Sequence, residues 1–191
     1  MDTTARHANT KVGRDDWTRA ALEVIATEGV DGVKVESLAS RLGITKGSFY
    51  WHFEGRQDLI ESTLELWYRL ATADVIERLD RIDDPEQRLR ALFAESFGDV
   101  VNGPIDALLV SQADDPIVGP TVVRATTERL AFLTRTYRHL GLPHERAAAR
   151  ARLAYAAYLG ISQLRRIPGG GPATAREESA LDRQLEILLT R

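Results

Sequence analysis

The 191-residue chain contains no cysteine. That removes disulfides, thiolate metal ligands and a cysteine nucleophile, and nothing suggests an oxidising compartment. No apolar run approaches the roughly 20 residues that a membrane-spanning helix needs. The first residues, MDTTARHANTKVGRDD, hold no apolar segment suited to a signal peptide. A soluble, cytoplasmic protein without a membrane partner is the expectation. Excess positive charge is missing as well: the net charge is −3, and residues 1–60 carry eight Lys and Arg against nine Asp and Glu. Nucleic-acid-binding domains are usually basic, so any affinity for DNA must rest on geometry. Metal-ligand spacing is absent, since His52 stands alone and His7, His139 and His144 form no set with it. No metal or cofactor is expected.

What is present is helical periodicity. Trp17, Ala20, Ala21, Val24 and Ile25 recur at the spacing of one helix face, as do Ile60, Leu64, Trp67 and Ala71. Convincing two-residue alternation is not found. Glycine and proline stops then divide the chain into about nine helices: 14–28, 35–42, 45–52, 56–80, 85–101, 104–113, 117–140, 143–167 and 173–190. An all-α protein follows. Short, turn-punctuated helices give way to long ones near the fourth, which predicts an N-terminal domain over 1–55 and a second over 56–191. PGGGP, at 168–172, follows no strand and lacks the Lys-Ser/Thr ending of a phosphate loop, so it reads as a flexible connector.

Residues 43–59, GITKGSFYWHFEGRQDL, place five aromatic or imidazole side chains side by side. With 35–42 before it, this segment predicts a helix-turn-helix. Leu38, Ala39 and Leu42 form an inner face, Gly43 supplies a left-handed C-terminal residue, and Ile44 fills the corner. Thr45 caps the second helix, and Phe49 and Phe53, four apart, point inward. The opposite face is Lys46, Gly47, Ser48, Tyr50, Trp51 and His52. Lys46 and Ser48 suit base edges, Gly47 permits close backbone approach, and Tyr50 and His52 can donate to phosphate oxygens. Backbone N–H groups at that helix end attract phosphate without a formal charge. Taken alone, Tyr50 and Trp51 read equally as core aromatics of a small three-helix unit.

In these residues the sequence resembles the TetR family of bacterial transcriptional repressors. The family's N-terminal signature is an alanine-rich first helix, a short second helix, "S/T-x-G-x-x-Y-x-H-F" and a "K-E-x-L"-like start to helix four. Here it reads TRAALEVIATEGVDGVKVESLASRLGITKGSFYWHFEGRQDL. The match spans about 14–60. Lys34 replaces the common Thr or Ser cap of helix two and offers a phosphate contact; Arg56 replaces the usual lysine and keeps its charge. The resemblance implies that Thr45, Lys46, Ser48, Tyr50, Trp51, His52 and Arg56 face DNA. It also implies that the later helices bind a ligand and dimerise.

The remaining helices are read as core-forming. Trp67, Phe93, Phe97, Phe132 and Tyr155 lie on helices four, five, seven and eight. They either line an apolar cavity, with Gln112 or Gln163 as polar handles, or are plain core. Ala147, Ala151, Ala154 and Ala157 permit close helix approach, Tyr158, Ile161 and Leu164 continue that stripe, and the last helix adds Leu181, Leu185 and Leu188. These two helices make either a four-helix dimer interface or intramolecular core. The expected function is a homodimeric repressor that binds a palindromic DNA operator and is released by a mostly apolar, weakly charged small molecule. Rivals are a regulator of the same fold answering to a protein partner or to no effector, and a helical enzyme. The enzyme reading lacks an assembled nucleophile, base and orienting group. Asp114–Asp115 and Glu177–Glu178 follow loops and suit solvated helix starts.

Overall fold

The computed structural model describes residues 12–98, 102–172 and 174–190. Every regular element among the described residues is helical, and two compact units meet in sequence between Thr63 and Leu64.

The first unit contains α1 (Arg14–Glu28), a 3-10 turn (Val30–Gly32), α2 (Val35–Arg41), α3 (Lys46–Phe49) and the start of α4 (Arg56–Tyr68). Helix α1 begins at Gly13, whose N–H donates to the Asp16 carboxylate (2.8 Å), so one orphan donor of the first turn is satisfied. Its apolar stripe, Trp17, Ala21, Val24 and Ile25, is buried together with Leu38, Phe49, Leu59 and Ile60. Phe49 meets Trp17 edge-on and stacks on Phe53, each at 5.2 Å between ring centroids. Full burial of such a ring stabilises by about 1.5–3 kcal/mol. Gly43 has φ +68°, as the turn between α2 and α3 requires.

The second unit continues from α4 through a π-helical turn (Arg69–Ala73) into α5 (Asp74–Asp80), then α6 (Pro85–Gly98), α7 (Asn102–Ser111), α8 (Gly119–His139), α9 (His144–Arg165) and α10 (Ala175–Thr190). Helix α9 packs on both α7 and α8, and α10 on α6. Leu79, Leu89, Phe93, Phe97, Phe132, Leu133 and Tyr137 form one core with Ala147, Ala151, Ala154 and Tyr155. Asp115 Oδ1 accepts from the N–H groups of Ile117 (2.8 Å) and Val118 (3.0 Å), an acidic turn ahead of α8.

Four sequence expectations change. The helix expected over 56–80 is continuous but carries the π turn, because the carbonyl of Ala71 and the hydroxyl of Thr72 are taken by Arg129 from α8. The helix expected over 45–52 closes at Phe49, after which Trp51 and His52 donate to the carbonyls three residues back, a tighter turn. The division expected at 55/56 falls within α4, because its first turns are tied to the first unit. Arg14 donates there to Asp58 (2.7 Å) and Ser62 (2.6 Å). The PGGGP segment is a hydrogen-bonded turn: Gly170 N–H donates to Ile167 O (2.8 Å), Gly169 has φ +77°, and a Cβ on Gly170 would lie 2.3 Å from Leu164 O.

Candidate DNA-facing surface and effector region

Burial of Phe49 and Phe53 decides what the rest of 45–53 presents. Thr45, Lys46 and Gly47 are exposed, Ser48 and His52 are partly exposed, and Tyr50 and Trp51 are 60% and 87% exposed. The core reading of Tyr50 and Trp51 therefore fails: both large rings lie in solvent beside a fully buried phenylalanine. Lys34 is also exposed, at the N-cap position of α2, and its side chain makes no cap hydrogen bond. Thr45 occupies the N-cap of α3 through its backbone alone; Ser48 N–H donates to its carbonyl (3.0 Å) and its hydroxyl makes no cap bond.

Arg56 is placed differently from the expectation. Its Nε donates to Val33 O and its Nη2 to Val30 O, both at 2.7 Å. It thereby fastens the start of α4 to the turn ahead of α2, satisfying Val33 O and adding a second donor to Val30 O, which already accepts from the Val33 N–H (3.2 Å). Arg14, which the sequence did not single out, lies 4.3 Å from the centre of the Phe53 ring and also donates to His52 O. It holds the end of the aromatic run in place. Burial of Asp58 opposes its charge, but the Glu54 N–H, Arg14 and Ser62 outweigh that and hold its carboxyl below the usual range.

Lys46 is in contact with Glu36, Nζ to Oε1 at 2.5 Å, across the turn joining α2 and α3. The hydrogen bond, with the opposite charge behind it, raises the pKa of Lys46 and lowers that of Glu36.

In the second unit the six residues expected at a pocket are partly reunited. Phe93, Phe97, Phe132 and Tyr155 belong to one core. Trp67 is buried and its Nε1–H donates to Asp106 (2.6 Å). Gln112 has a buried side-chain oxygen with no hydrogen-bond partner among the described residues. A cavity of about 380 Å³ lies elsewhere, lined by Arg135, Arg138, His139, Gly141, Leu142, Pro143 and His144.

Sequence reading missed what holds this region together. Asp106, 2% exposed, accepts from Trp67, from Tyr158 O–H (2.8 Å) and from Arg129 Nη1 (2.6 Å). Arg129 also donates to Thr72 Oγ1 and Ala71 O, both at 2.9 Å. Burial opposes the Arg129 charge, yet Asp106 beside it more than compensates and raises its pKa; burial and the same carboxylate raise that of Tyr158. One signal was legible: Asp106 is the lone charge in the apolar run PIDALLV.

The expected dimer residues divide. Ala154 is 2% exposed and belongs to the core of its own unit, and the Tyr158 hydroxyl is committed to Asp106. The alanine stripe of α9 is spent on intramolecular packing because only small side chains let α8 come close. Ile161 and Leu181 are partly buried against the same core, while the side chains of Leu185 and Leu188 lie outside the described residues. What α9 leaves open is another stripe, Ala149, Leu153, Ala156, Gly160 and Leu164, continued by Ile167 just past its end, all exposed.

Among the described residues no helix is long and apolar enough to cross a membrane, and no group of three or more acidic or histidine side chains could hold a metal. Residues 18–63 match the model for bacterial regulatory proteins of the tetR family. A class A tetracycline repressor protein from Escherichia coli is 38% identical over 56 residues, 29% of this chain and 26% of that protein. The transcriptional repressor KstR2 of Mycolicibacterium smegmatis is 29% identical over 84 residues, 44% of this chain and 41% of that one. The chain thus spans less than half the length of these curated relatives. A TetR-family regulator from Agrobacterium tumefaciens shares the fold, with a TM-score of 0.74 and 21% identity over 91% of this chain and 95% of its own. These proteins are transcriptional regulators, not enzymes. Residues 18–63 thus match the tetR-family helix-turn-helix in sequence, and the helical fold is one that solved TetR-family regulators share.

Proposed function

We propose that the protein is a cytoplasmic transcriptional repressor that binds a palindromic DNA operator as a homodimer and is released by a small, mostly apolar or weakly charged molecule. One observation carries the reading. The segment 45–53 turns two phenylalanines fully inward and leaves Lys46, Gly47, Tyr50 and Trp51 in solvent on a short helix that a major groove admits. Lys34, Thr45, Ser48 and His52 border that face, and the relatives that match this segment include repressors. Arg56 supports it as a fastening rather than as a phosphate contact.

A single copy reaches one half-site, so a second copy is needed for tight binding. The exposed stripe of α9 suits that role: Ala156 and Gly160 at its middle allow close approach, and Leu153, Leu164 and Ile167 supply apolar area. For the effector, Trp67, Phe97 and Tyr155 offer apolar walls, and Gln112 offers a free acceptor. Asp106 and Arg129 neutralise each other, so a polyanion finds no free charge there. Because α4 runs from the first unit into the second, a ligand beside Trp67 has a carrier for its effect. The saturation of Asp106 by three donors favours one second reading, a regulator of the same fold that takes no small molecule.

The test selects DNA from a random pool with wild type and with Leu153→Glu combined with Leu164→Glu, alongside sedimentation. The wild type should sediment as a dimer and enrich a palindrome, and the double variant should be monomeric with affinity reduced by a hundredfold or more. A wild-type monomer that binds a non-palindromic site tightly refutes the reading. A compound library then separates the two effector readings: a ligand that raises the melting temperature should weaken operator binding about 5–150-fold.

A further inference from the structure

The Glu36–Lys46 pair is unexplained by stability. Both side chains are exposed, at 67% and 50%, and exposed ion pairs contribute little to folding. An acidic group on a face that must meet phosphates opposes binding unless it has a task there. Glu36 lies in the first turn of α2 and Lys46 in the first turn of α3. The corner at Gly43 brings these two helix starts together, ten residues apart in sequence.

The geometry points to Glu36 as a specificity-determining residue that, with Lys46, reads one G·C base pair. This inference rests on the DNA-facing assignment made above. An ammonium has three N–H donors, and Lys46 spends one on Glu36 Oε1. Two remain. The Glu36 carboxylate also accepts from its own backbone N–H, and with about four lone-pair sites on its two oxygens it keeps acceptor capacity beyond these two bonds. The pair therefore presents two donors with an acceptor alongside. In the major groove a G·C pair offers two guanine acceptors, N7 and O6, followed by the cytosine N4 donor. An A·T pair alternates acceptor, donor, acceptor, so one lysine donor would meet the adenine N6–H group. The order of groups on the protein matches the first pattern and conflicts with the second. Glu36 also keeps Lys46 off the phosphates: a lysine held by a carboxylate is directed to the base edge rather than left to neutralise the backbone.

The experiment is selection from a random DNA pool with the full-length wild type, Glu36→Gln and Glu36→Ala, followed by affinity against salt concentration on the wild-type motif. The wild type should enrich one G·C pair in each half-site. Glu36→Gln should move that position toward A·T, because an amide both donates and accepts as adenine requires. Glu36→Ala should lower the G·C preference there by about tenfold. Its log affinity should also fall more steeply with log salt, by roughly 0.9, as Lys46 is freed for a phosphate. Unchanged motifs and an unchanged salt slope in both variants, with melting temperatures like the wild type, would overturn the inference while leaving the DNA face intact. Failure of the wild type to enrich any sequence would overturn the DNA-face assignment and this inference with it. If Glu36→Ala does not fold, Glu36→Gln decides alone, since it keeps the side chain's shape.

Discussion

The two units solve the problem of placing polar groups among aromatic side chains in opposite ways. The first unit drives Trp17, Phe49 and Phe53 inward and leaves Tyr50, Trp51 and the Glu36–Lys46 pair in solvent, where charge is inexpensive. The second unit takes a carboxylate and a guanidinium into its interior and surrounds them with Trp67, Thr72, Tyr155 and Tyr158. There the same kind of pair carries a heavy desolvation penalty, and every partner matters. Charge placed on a surface is free to act on another molecule. Charge placed in a core is first a requirement of the fold.

Substitutions at matched positions test that contrast. Asp106→Ala should destabilise the second unit by about 3–5 kcal/mol, since it strands a buried guanidinium and two further donors. Urea denaturation measures it. Asp106→Leu combined with Arg129→Met should lose less than Asp106→Ala alone, because no unpaired charge is then buried. A double variant worse than the single would show that the pair itself, rather than its breakage, governs stability.

Arg56→Ala should cost about 1 kcal/mol, because Val33 O loses its side-chain donor while Val30 O keeps only the Val33 N–H. Operator affinity should fall with the same dependence on salt as the wild type. A salt slope shallower by about 0.9 would instead identify Arg56 as a phosphate contact and return it to the DNA face.

The smallest effect on folding belongs to the most exposed ring. Trp51→Ala should change stability by no more than about 0.5 kcal/mol, since Trp51 is 87% exposed. It should nevertheless weaken operator binding by roughly tenfold, as loss of one stacking or groove contact does. Equal loss of stability and affinity would mean that Trp51 is packing that the isolated chain leaves uncovered.

Legibility in the sequence followed the reach of the interactions. The face of 45–53 could be read because Phe49 and Phe53 are four residues apart and the turn at Gly43 needs a left-handed residue. The π turn could not be read, since RLATA has nothing unusual in it. Its cause sits 57 residues away, in Arg129. The open stripe of α9 is equally periodic with the buried one, and only the positions of α7 and α8 decide which of them faces inward. Arg56 resembled a DNA contact because its charge and its place at a helix start fitted that role. The two carbonyls it satisfies, 23 and 26 residues away, carry no mark in the sequence.

By itself, then, the sequence determined the all-helical class, most of the helix limits, the helix-turn-helix and the direction of its two phenylalanines. All of these depend on neighbours within a turn or two, where side-chain spacing, glycine conformation and capping act directly. Only the tertiary structure decided that Lys46 is paired with Glu36, that Arg56 is a fastening, that Asp106 and Arg129 share one interior site, and which stripe of α9 lies open. Those outcomes depend on which distant groups can reach one another once the helices are packed. The desolvation of a charge, and hence whether it is free to act, is set by that packing.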